Sequence, residues 1–386
     1  MSKSISTSHS DEQSTADERF TADEQFTVAL QDLDRWFDRQ KRVLPWRNDP
    51  SFYRVWVSEI MLQQTQVVTV IPYFERFVAS FPNVQALAQA ELEEVLLLWS
   101  GLGYYSRARN LHRGAQQIWK QGGFPKTRES WLEIPGVGHY TAGAILSIAD
   151  NQAEAILDGN VERVISRVRK VARENGDTLY KAMLWKLSKE WVEWGQRWKI
   201  RPSNLNQALM ELGATVCTPR NPRCAACPLS AGCSAYRSKE QESYPPKKKP
   251  KEWTSVLEQL HCVVNQSGEV LLRRRREGEW RAGLWDLLEE QPGAGAGNIP
   301  ILLGQIESRH IVTRHKIQRS TQVWRVRAGA AGAVGAAGAA GAAGAVGAEL
   351  RWVELNPLET SKVPMGSALK KTLQQVALKF PGVLSR

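Results

Sequence analysis

The chain is 386 residues long, enough for two or three domains, and its 42% hydrophobic content argues against global disorder. No apolar run approaches the roughly 18 residues of a membrane helix, and no signal peptide opens the chain, so the sequence predicts a soluble intracellular protein without a membrane partner. The formal net charge of +11 suits a polyanion such as DNA or RNA, although many basic proteins bind no nucleic acid and carry such a charge for solubility.

The first half of the chain predicts helices. Residues 1–26 predict a disordered tail that contains the tandem near-repeat TADERF-TADEQF. From Leu30 to about Arg237 apolar residues recur every three or four positions, so residues 27–237 are predicted to form one mostly helical domain.

Glu59 is the first candidate for chemistry. It lies in YRVWVSEIMLQQTQV (53–67), where apolar residues occur nearly all round the predicted helix. A glutamate on a helix ordinarily faces solvent, and that is the simplest interpretation. If the helix is buried, however, Glu59 is held in a dry site and its pKa is raised, which makes it a candidate general acid.

A tight turn between two helices follows in IPGVGHYTAGAI (134–145). Pro135 ends one helix, Gly136 and Gly138 permit positive φ, and a new helix is predicted to start near His139. Most Gly-x-Gly turns are only turns. Here the glycines also let backbone N–H groups and a helix N-terminus approach a phosphate.

Asp158 precedes the amphipathic helix of ILDGNVERVISRV (156–168). Its default role is that of an N-cap. N–H donors from the helix start are also expected to lower its pKa and keep it ionised, as stabilisation of a cationic sugar requires. An ionised aspartate beside a protonated glutamate is the pair that glycosidic cleavage uses.

Four of the five cysteines are crowded into CTPRNPRCAACPLSAGC (217–233), with the spacing C-x6-C-x2-C-x5-C. Disulfides are not expected in an intracellular chain. On spacing alone zinc and an iron–sulfur cluster are equally plausible. The fifth cysteine, Cys262, is predicted to be a small buried residue.

After a Pro/Lys-rich linker (238–251) the pattern changes. VLEQLHCVVN, GEVLLRRRR and TQVWRVRA predict strands, whereas GLWDLLEE and GSALKKTLQQVAL suggest short helices or turns. Residues 252–386 are therefore predicted to form a second domain. A low-complexity Ala/Gly insertion interrupts this domain at residues 328–348.

Between Leu44 and Cys233 the chain resembles the MutY branch of the endonuclease III and MutY family of DNA glycosylases. The segments that carry the resemblance are LPWR, WVSEIMLQQTQV, GLGYYSRARNL, IPGVGHYTAGAI, ILDGNVERV and the cysteine loop. The resemblance implies a mostly α helix-hairpin-helix glycosylase domain with a 4Fe-4S loop, plus a C-terminal α+β Nudix-like domain that reads 8-oxoguanine. The implied protein is a bacterial, cytoplasmic and nucleoid-associated monomer.

The resemblance implies an enzyme that removes adenine from A:8-oxoguanine or A:G mispairs in double-stranded DNA. Glu59 would protonate adenine and Asp158 would stabilise the sugar cation. Tyr140 and Asn160 would position the sugar and Asp158. Tyr140 stands where endonuclease III-like enzymes carry a Schiff-base lysine, which implies a monofunctional glycosylase. The implied cluster ligands are Cys217, Cys224, Cys227 and Cys233.

The resemblance also implies residues that contact DNA, several of which could equally be plain helix surface or core. They are Gln64, Thr65, Leu102, Tyr104, Gly136, Gly138, Thr313 and Arg314. Val312, Thr313 and Arg314 stand where many members carry Phe-Ser-His, which leaves the discrimination of 8-oxoguanine from guanine open. The C-terminal domain lacks the acidic Nudix catalytic pattern, so nucleotide hydrolysis is not expected.

Two alternatives accompany this interpretation. One is an endonuclease III-like pyrimidine glycosylase, against which Glu59, Tyr140 and the second domain argue. The other is a non-catalytic iron–sulfur DNA-binding protein, against which the two carboxylates argue.

Overall fold

The computed structural model describes residues 28–172, 176–246, 252–293, 299–312, 314–326 and 349–381. The predicted tail, the Ala/Gly insertion, the lysine run of the linker and Thr313 lie outside these residues. The chain divides into two compact units. Unit 1 comprises Met1–Val78 and Gly114–Lys248, and unit 2 comprises Ala79–Arg113 and Lys249–Arg386.

The chain before the linker is helical, as its periodicity predicts, and its described residues contain no strand. The helices are α1 (28–40), α2 (Phe52–Leu62), α3 (Val67–Ser80), α4 (Val84–Gln89), α5 (Leu92–Leu98), α6 (Ser106–Lys120), α7 (Arg128–Leu132), α8 (His139–Asp150), α9 (Gly159–Arg169), α10 (Gly176–Arg197), α11 (Pro202–Thr215) and α12 (Ser234–Arg237). Of these, α4, α5 and the start of α6 belong to unit 2.

The core of unit 1 is formed by the apolar faces of α1, α9, α10 and α11. Leu33, Ile165, Leu184, Trp191 and Leu209 are all buried in it. Burying each such side chain contributes roughly 1.5–3 kcal/mol, so this core holds the start of α9 firmly against α11.

Unit 2 contains a six-stranded sheet of order β3-β2-β1-β5-β4, and β6 pairs with β2. β1 and β5 are parallel, whereas β4 and β5 form an antiparallel hairpin in which Val312 pairs with His315. The elements are β1 (Thr254–Val264), β2 (Glu269–Arg274), β3 (Trp285–Asp286), β4 (Ile301–Val312), β5 (His315–Arg325), β6 (Leu350–Glu354), α13 (Pro357–Ser361) and α14 (Ser367–Lys379).

One face of this sheet is covered by α14. Leu369, Leu373 and Val376 of α14 share a buried cluster with Cys262 and Val323 of the sheet. Cys262 is therefore the small buried residue that the sequence predicts.

A network of buried charges joins three strands of unit 2. The carboxylate of Asp286 in β3 lies 3.3 Å from Arg275, 3.0 Å from Arg281 and 3.6 Å from Arg319 of β5. Arg319 also pairs with Glu258 of β1 at 2.9 Å. Burial by itself raises the pKa of Asp286, but the three arginines outweigh it and lower that pKa.

The segment GLWDLLEE differs from its prediction, because Trp285 and Asp286 form strand β3 instead of a helix or turn. Arg274 of β2 pairs with Trp285 of β3. The backbone N–H of Trp285 also donates to the carbonyl of Pro364 at 3.0 Å. These partners are distant in sequence, so local propensity does not reveal them. No helix within the described ranges is long and apolar enough to cross a membrane.

Candidate active site and cysteine loop

Unit 1 contains a cavity of about 510 Å³ into which the two candidate carboxylates and Tyr140 come together. Glu59 reaches it from α2, Tyr140 from the first turn of α8, and Asp158 from the N-cap of α9. Gln64, Thr65 and Asn160 line the same cavity. Three separate segments of the chain, 59–65, Tyr140 and 158–160, thus meet in one site.

Glu59 occupies the dry position that the sequence suggests, with only 5% of its surface exposed. The hydroxyl of Tyr140 donates to its Oε2 at 2.8 Å. Burial raises the pKa of Glu59 to about 7, opposed by the Tyr140 hydrogen bond and helped by the nearby charge of Asp158. Glu59 can therefore hold or release a proton near neutral pH.

Asp158 caps α9 as predicted, but its pKa moves in the other direction from the prediction. Its carboxylate accepts hydrogen bonds from the N–H groups of Asn160 at 3.0 Å and Val161 at 2.7 Å, and from Asn160 Nδ2 at 2.8 Å. These donors lower the pKa of Asp158, yet burial is the larger effect and raises it overall. The predicted direction is wrong because the sequence shows that Asp158 caps a helix but does not show how deeply its carboxylate is buried.

Three charged residues that were not predicted as site residues line another wall of the cavity. Glu211 of α11 has a fully buried side chain that pairs with Arg42 Nε at 2.6 Å and Arg47 Nη2 at 2.9 Å. Burial alone raises the pKa of Glu211, but the two arginines lower it. Arg47 also lowers the pKa of Glu59. Of these three residues, only Arg47 belongs to a segment that was recognised in the sequence, LPWR.

The hairpin between α7 and α8 forms where the sequence predicts it. Gly136 has φ of 81°, the left-handed conformation that favours glycine. Gly138 caps α8 with φ of −107°, so it does not adopt the positive φ that its lack of a side chain permits. A Cβ atom at 138 would meet nothing within 4 Å, and no side chain caps α8. The first N–H groups of α8 are therefore open to an anion.

The predicted DNA-contact residues differ in exposure. Gln64, after α2, has φ of 56°, a conformation that costs energy in a non-glycine residue. In unit 2, Tyr104 has φ of 49° and is 38% exposed, whereas Leu102 is buried and only 6% exposed. Arg314 is exposed in the turn between β4 and β5.

The four cysteines of the loop line one narrow cavity together with Arg167. Within the described ranges no three His, Cys, Asp or Glu side chains are arranged to hold one metal ion. A 4Fe-4S cluster binds one thiolate on each of four irons. The four cysteines that line this one cavity supply that number of thiolates.

Arg167 fastens this loop to α9. Its guanidinium donates to Cys217 Sγ at 3.3 Å and to the carbonyls of Thr218 at 2.7 Å, Pro219 at 3.1 Å and Tyr244 at 3.0 Å. Nearby, Arg163 donates to the carbonyl of Cys217 at 2.6 Å. These charged donors lie where thiolate ligands need stabilisation.

Two family models match the chain: the HhH-GPD superfamily base excision DNA repair protein over residues 57–190, and the iron-sulfur binding domain of endonuclease III over residues 217–233. The adenine DNA glycosylase of Buchnera aphidicola subsp. Baizongia pistaciae is 36% identical over 263 residues, which cover 66% of this chain and 72% of that protein. The chain belongs to the adenine DNA glycosylase family. The predicted family and the predicted 4Fe-4S cofactor are thereby confirmed.

Other relatives overlap less completely. The adenine DNA glycosylase of Mus musculus is 50% identical over 213 residues, which cover 52% of this chain and 40% of the mouse protein. The match thus spans about two-fifths of that relative. A solved structure of a thermostable thymine-DNA glycosylase superposes with a TM-score of 0.50 at 29% identity, covering 56% of this chain and 98% of the other. The predicted helix-hairpin-helix glycosylase fold is confirmed, together with a C-terminal sheet domain.

Proposed function

We propose that the chain is a monofunctional adenine DNA glycosylase that removes adenine mispaired with 8-oxoguanine or guanine. One observation carries the proposal: the hydrogen bond from Tyr140 to Glu59 in a cavity that also contains Asp158. With a pKa of about 7, Glu59 is partly protonated at neutral pH. Burial raises the pKa of Asp158, and three hydrogen bonds oppose that effect by favouring its ionised form. An acid and a carboxylate in one cavity are the groups that cleavage of an N-glycosidic bond requires.

The reaction begins when the adenine leaves the base stack and enters the cavity. Glu59 donates its proton to N7 of adenine, and the glycosidic bond breaks with its electron pair going to the base. The carboxylate of Asp158 stabilises the positive charge that develops on the sugar. Glu59, now ionised, accepts a proton from the water that attacks the sugar.

Tyr140 explains why no second reaction follows. Its hydroxyl orients Glu59, but a phenol cannot form the imine with the sugar that a lysine at this position would form. Asn160 holds the carboxylate of Asp158 through Nδ2. Base removal without strand cleavage is the expected outcome.

The cluster is proposed to be held by Cys217, Cys224, Cys227 and Cys233 as thiolates, one on each iron. When bound, it supplies a rigid anchor for the loop and no chemistry in base removal. Burial raises the pKa of Cys227 to about 12, so the free thiol resists ionisation and iron ligation is what stabilises the thiolate.

For DNA contact, we propose phosphate binding at the α8 hairpin and insertion of Gln64 and Tyr104 into the duplex, with Thr65 and Leu102 beside them. Residues 252–386 are proposed to be a Nudix-like domain that binds 8-oxoguanine through Thr313 and contacts phosphate through Arg314. Residues 27–237 would be the glycosylase domain, and the protein would act on double-stranded DNA as a monomer.

The test is a single-turnover assay, without added metal, on duplexes with A opposite 8-oxoguanine, A opposite G, or an oxidised pyrimidine. We expect release of free adenine from the first two and no release from the third. Release of oxidised pyrimidine would favour the endonuclease III-like alternative. Binding to all three without base release would favour the non-catalytic one.

A further inference from the structure

The loop between α5 and α6 has an unfavourable backbone. Gly101, Gly103 and Tyr104 all have positive φ, at 103°, 77° and 49°. Glycine accepts this conformation, but tyrosine adopts it at a cost in free energy and keeps it only where surrounding contacts impose it. Other parts of unit 2 must therefore hold the loop in shape.

The phenol of Tyr105, only 9% exposed, ties the loop to a distant part of the chain. Its oxygen accepts a hydrogen bond from the N–H of Gly101 at 3.2 Å and donates one to the carbonyl of Met365 at 2.9 Å. Ser100 Oγ lies 3.3 Å from the same carbonyl and accepts a hydrogen bond from Lys370 Nζ at 2.8 Å. Met365 is thus the common acceptor.

The Met365 carbonyl is a rigid anchor because its surroundings are packed. The Met365 side chain is fully buried in the core beneath the sheet. The preceding carbonyl, of Pro364, accepts a hydrogen bond from Trp285 of β3 at 3.0 Å. The loop is therefore connected to the sheet through backbone groups that cannot easily move.

The other side of the loop is held from α6 and α5. Arg107 Nη2 donates to the carbonyls of Leu102 at 3.3 Å and Gly103 at 3.1 Å, and Trp99 Nε1 donates to Gly103 at 3.1 Å. The Arg107 guanidinium also lies 5.4 Å from the centre of the Tyr104 ring. Held from both sides, the loop buries Leu102 and exposes Tyr104.

We propose that Tyr105 is a positioning residue: by joining Gly101 N–H to the Met365 carbonyl, its hydroxyl keeps the loop in the conformation that presents Tyr104 to a DNA duplex. This inference rests on the proposed function, because it takes DNA as the molecule that Tyr104 meets. Through the Met365 carbonyl, the C-terminal part of unit 2 would contribute to base unstacking in addition to binding the base opposite adenine.

The first test measures the loop without DNA. Amide hydrogen exchange at residues 100–104 is compared in wild type, Tyr105→Phe and Tyr53→Phe, which removes a buried hydroxyl from unit 1. Tyr105→Phe removes both hydrogen bonds of the hydroxyl, so we expect exchange at least about 2- to 10-fold faster in this variant and no change in Tyr53→Phe. Ser100→Ala, which removes a second contact to Met365, should act in the same direction. Unchanged exchange in both unit 2 variants would overturn the proposal.

The second test measures base unstacking in bound DNA. Fluorescence of 2-aminopurine placed beside an A:8-oxoguanine mispair is followed in a Glu59→Gln background, so that unstacking is observed without excision. Tyr105→Phe should reduce the fluorescence increase and, with Glu59 restored, lower the single-turnover rate about 2- to 10-fold without moving its pH dependence. Normal unstacking with faster loop exchange would refute the role in DNA. Absence of excision by wild type would instead count against the proposed function, because neither exchange nor unstacking requires it.

Discussion

Gly213 in α11 lies against Asn160 at the start of α9, so close that a Cβ atom at position 213 would fall 2.5 Å from the Cβ and 2.9 Å from the Cα of Asn160. Asn160 in turn donates to Asp158 and accepts a hydrogen bond from Arg163 at 2.9 Å. The absence of a side chain at 213 therefore fixes the distance between the two helices and the position of the candidate catalytic aspartate.

Replacing Gly213 with alanine should move Asn160 and Asp158 together. We expect a loss of about 1–3 kcal/mol in the free energy of unfolding, because backbone atoms must separate. We also expect at least a tenfold lower single-turnover excision rate. Gly195→Ala is the matched control: its Cβ would meet Leu205 Cδ2 at 2.8 Å, the end of a side chain that can rotate. Equal excision rates in the two variants would contradict this account.

Glu59 predicts the pH dependence of the reaction. If its protonated form is the acid, the single-turnover rate should fall as pH rises through about 7, and Glu59→Gln should have no measurable excision at any pH. Glu193→Gln, on the exposed side of α10, is the control. A rate that stays constant between about pH 5.5 and about pH 8.5, roughly one and a half pH units on each side of the pKa, would exclude this role.

The same pKa has a consequence for stability. Folding raises the pKa of Glu59 from 4.5 to about 7, so the folded state favours the protonated carboxyl. This contribution to the free energy of unfolding is fully present below pH 4.5 and is lost as the pH rises through about 7. At pH 8 the ionised carboxylate should cost about 3 kcal/mol. Denaturant unfolding should show that Glu59→Gln is more stable than wild type at pH 8 and not at pH 4. A stability difference independent of pH would contradict the raised pKa.

Asp158→Asn separates capping from catalysis. Asparagine caps helices as well as aspartate does, so the fold and the binding of mispaired DNA should be retained. Excision should be lost, since an amide cannot stabilise the sugar cation as a carboxylate does. Asp150→Asn, at the exposed end of α8, controls for the loss of one negative charge. Near wild-type excision by Asp158→Asn would remove Asp158 from the mechanism.

The cysteine loop predicts a brown protein with about four irons and four sulfides per chain. Cys227→Ser should lose iron and destabilise the loop, whereas Cys262→Ala should keep its iron, because Cys262 lies in the core of unit 2. The iron, zinc and sulfide content per chain is measured on anaerobically purified protein. Stoichiometric zinc without sulfide would refute the cluster in this chain.

Sequence reasoning succeeded where one local pattern determines the structure. The Asp158 cap and the hairpin before His139 follow from short segments whose residue types leave few alternatives. For Glu59 the sequence left exposure and burial both open, and the structure shows burial. Leu102 and Tyr104 were both predicted to contact DNA, but the sequence does not show that Leu102 is buried and Tyr104 exposed.

It failed where distant residues decide the outcome. The short strand at Trp285 exists because Arg274 and Pro364 provide its partners, and Glu211 enters the site only because α11 brings it to Arg42 and Arg47. The pKa of Asp158 depends in the same way on burial by the whole unit, which no window of sequence encodes.

Unit 2 is assembled from two stretches of chain, Ala79–Arg113 and Lys249–Arg386, with most of unit 1 between them. During synthesis the first stretch leaves the ribosome long before the sheet that receives it. Until then Tyr105 has no Met365 carbonyl to bind, and Glu93 lacks its ion pair with Arg351. A ribosome that stalls within unit 1 would therefore leave this stretch without its partners, available to chaperones and proteases.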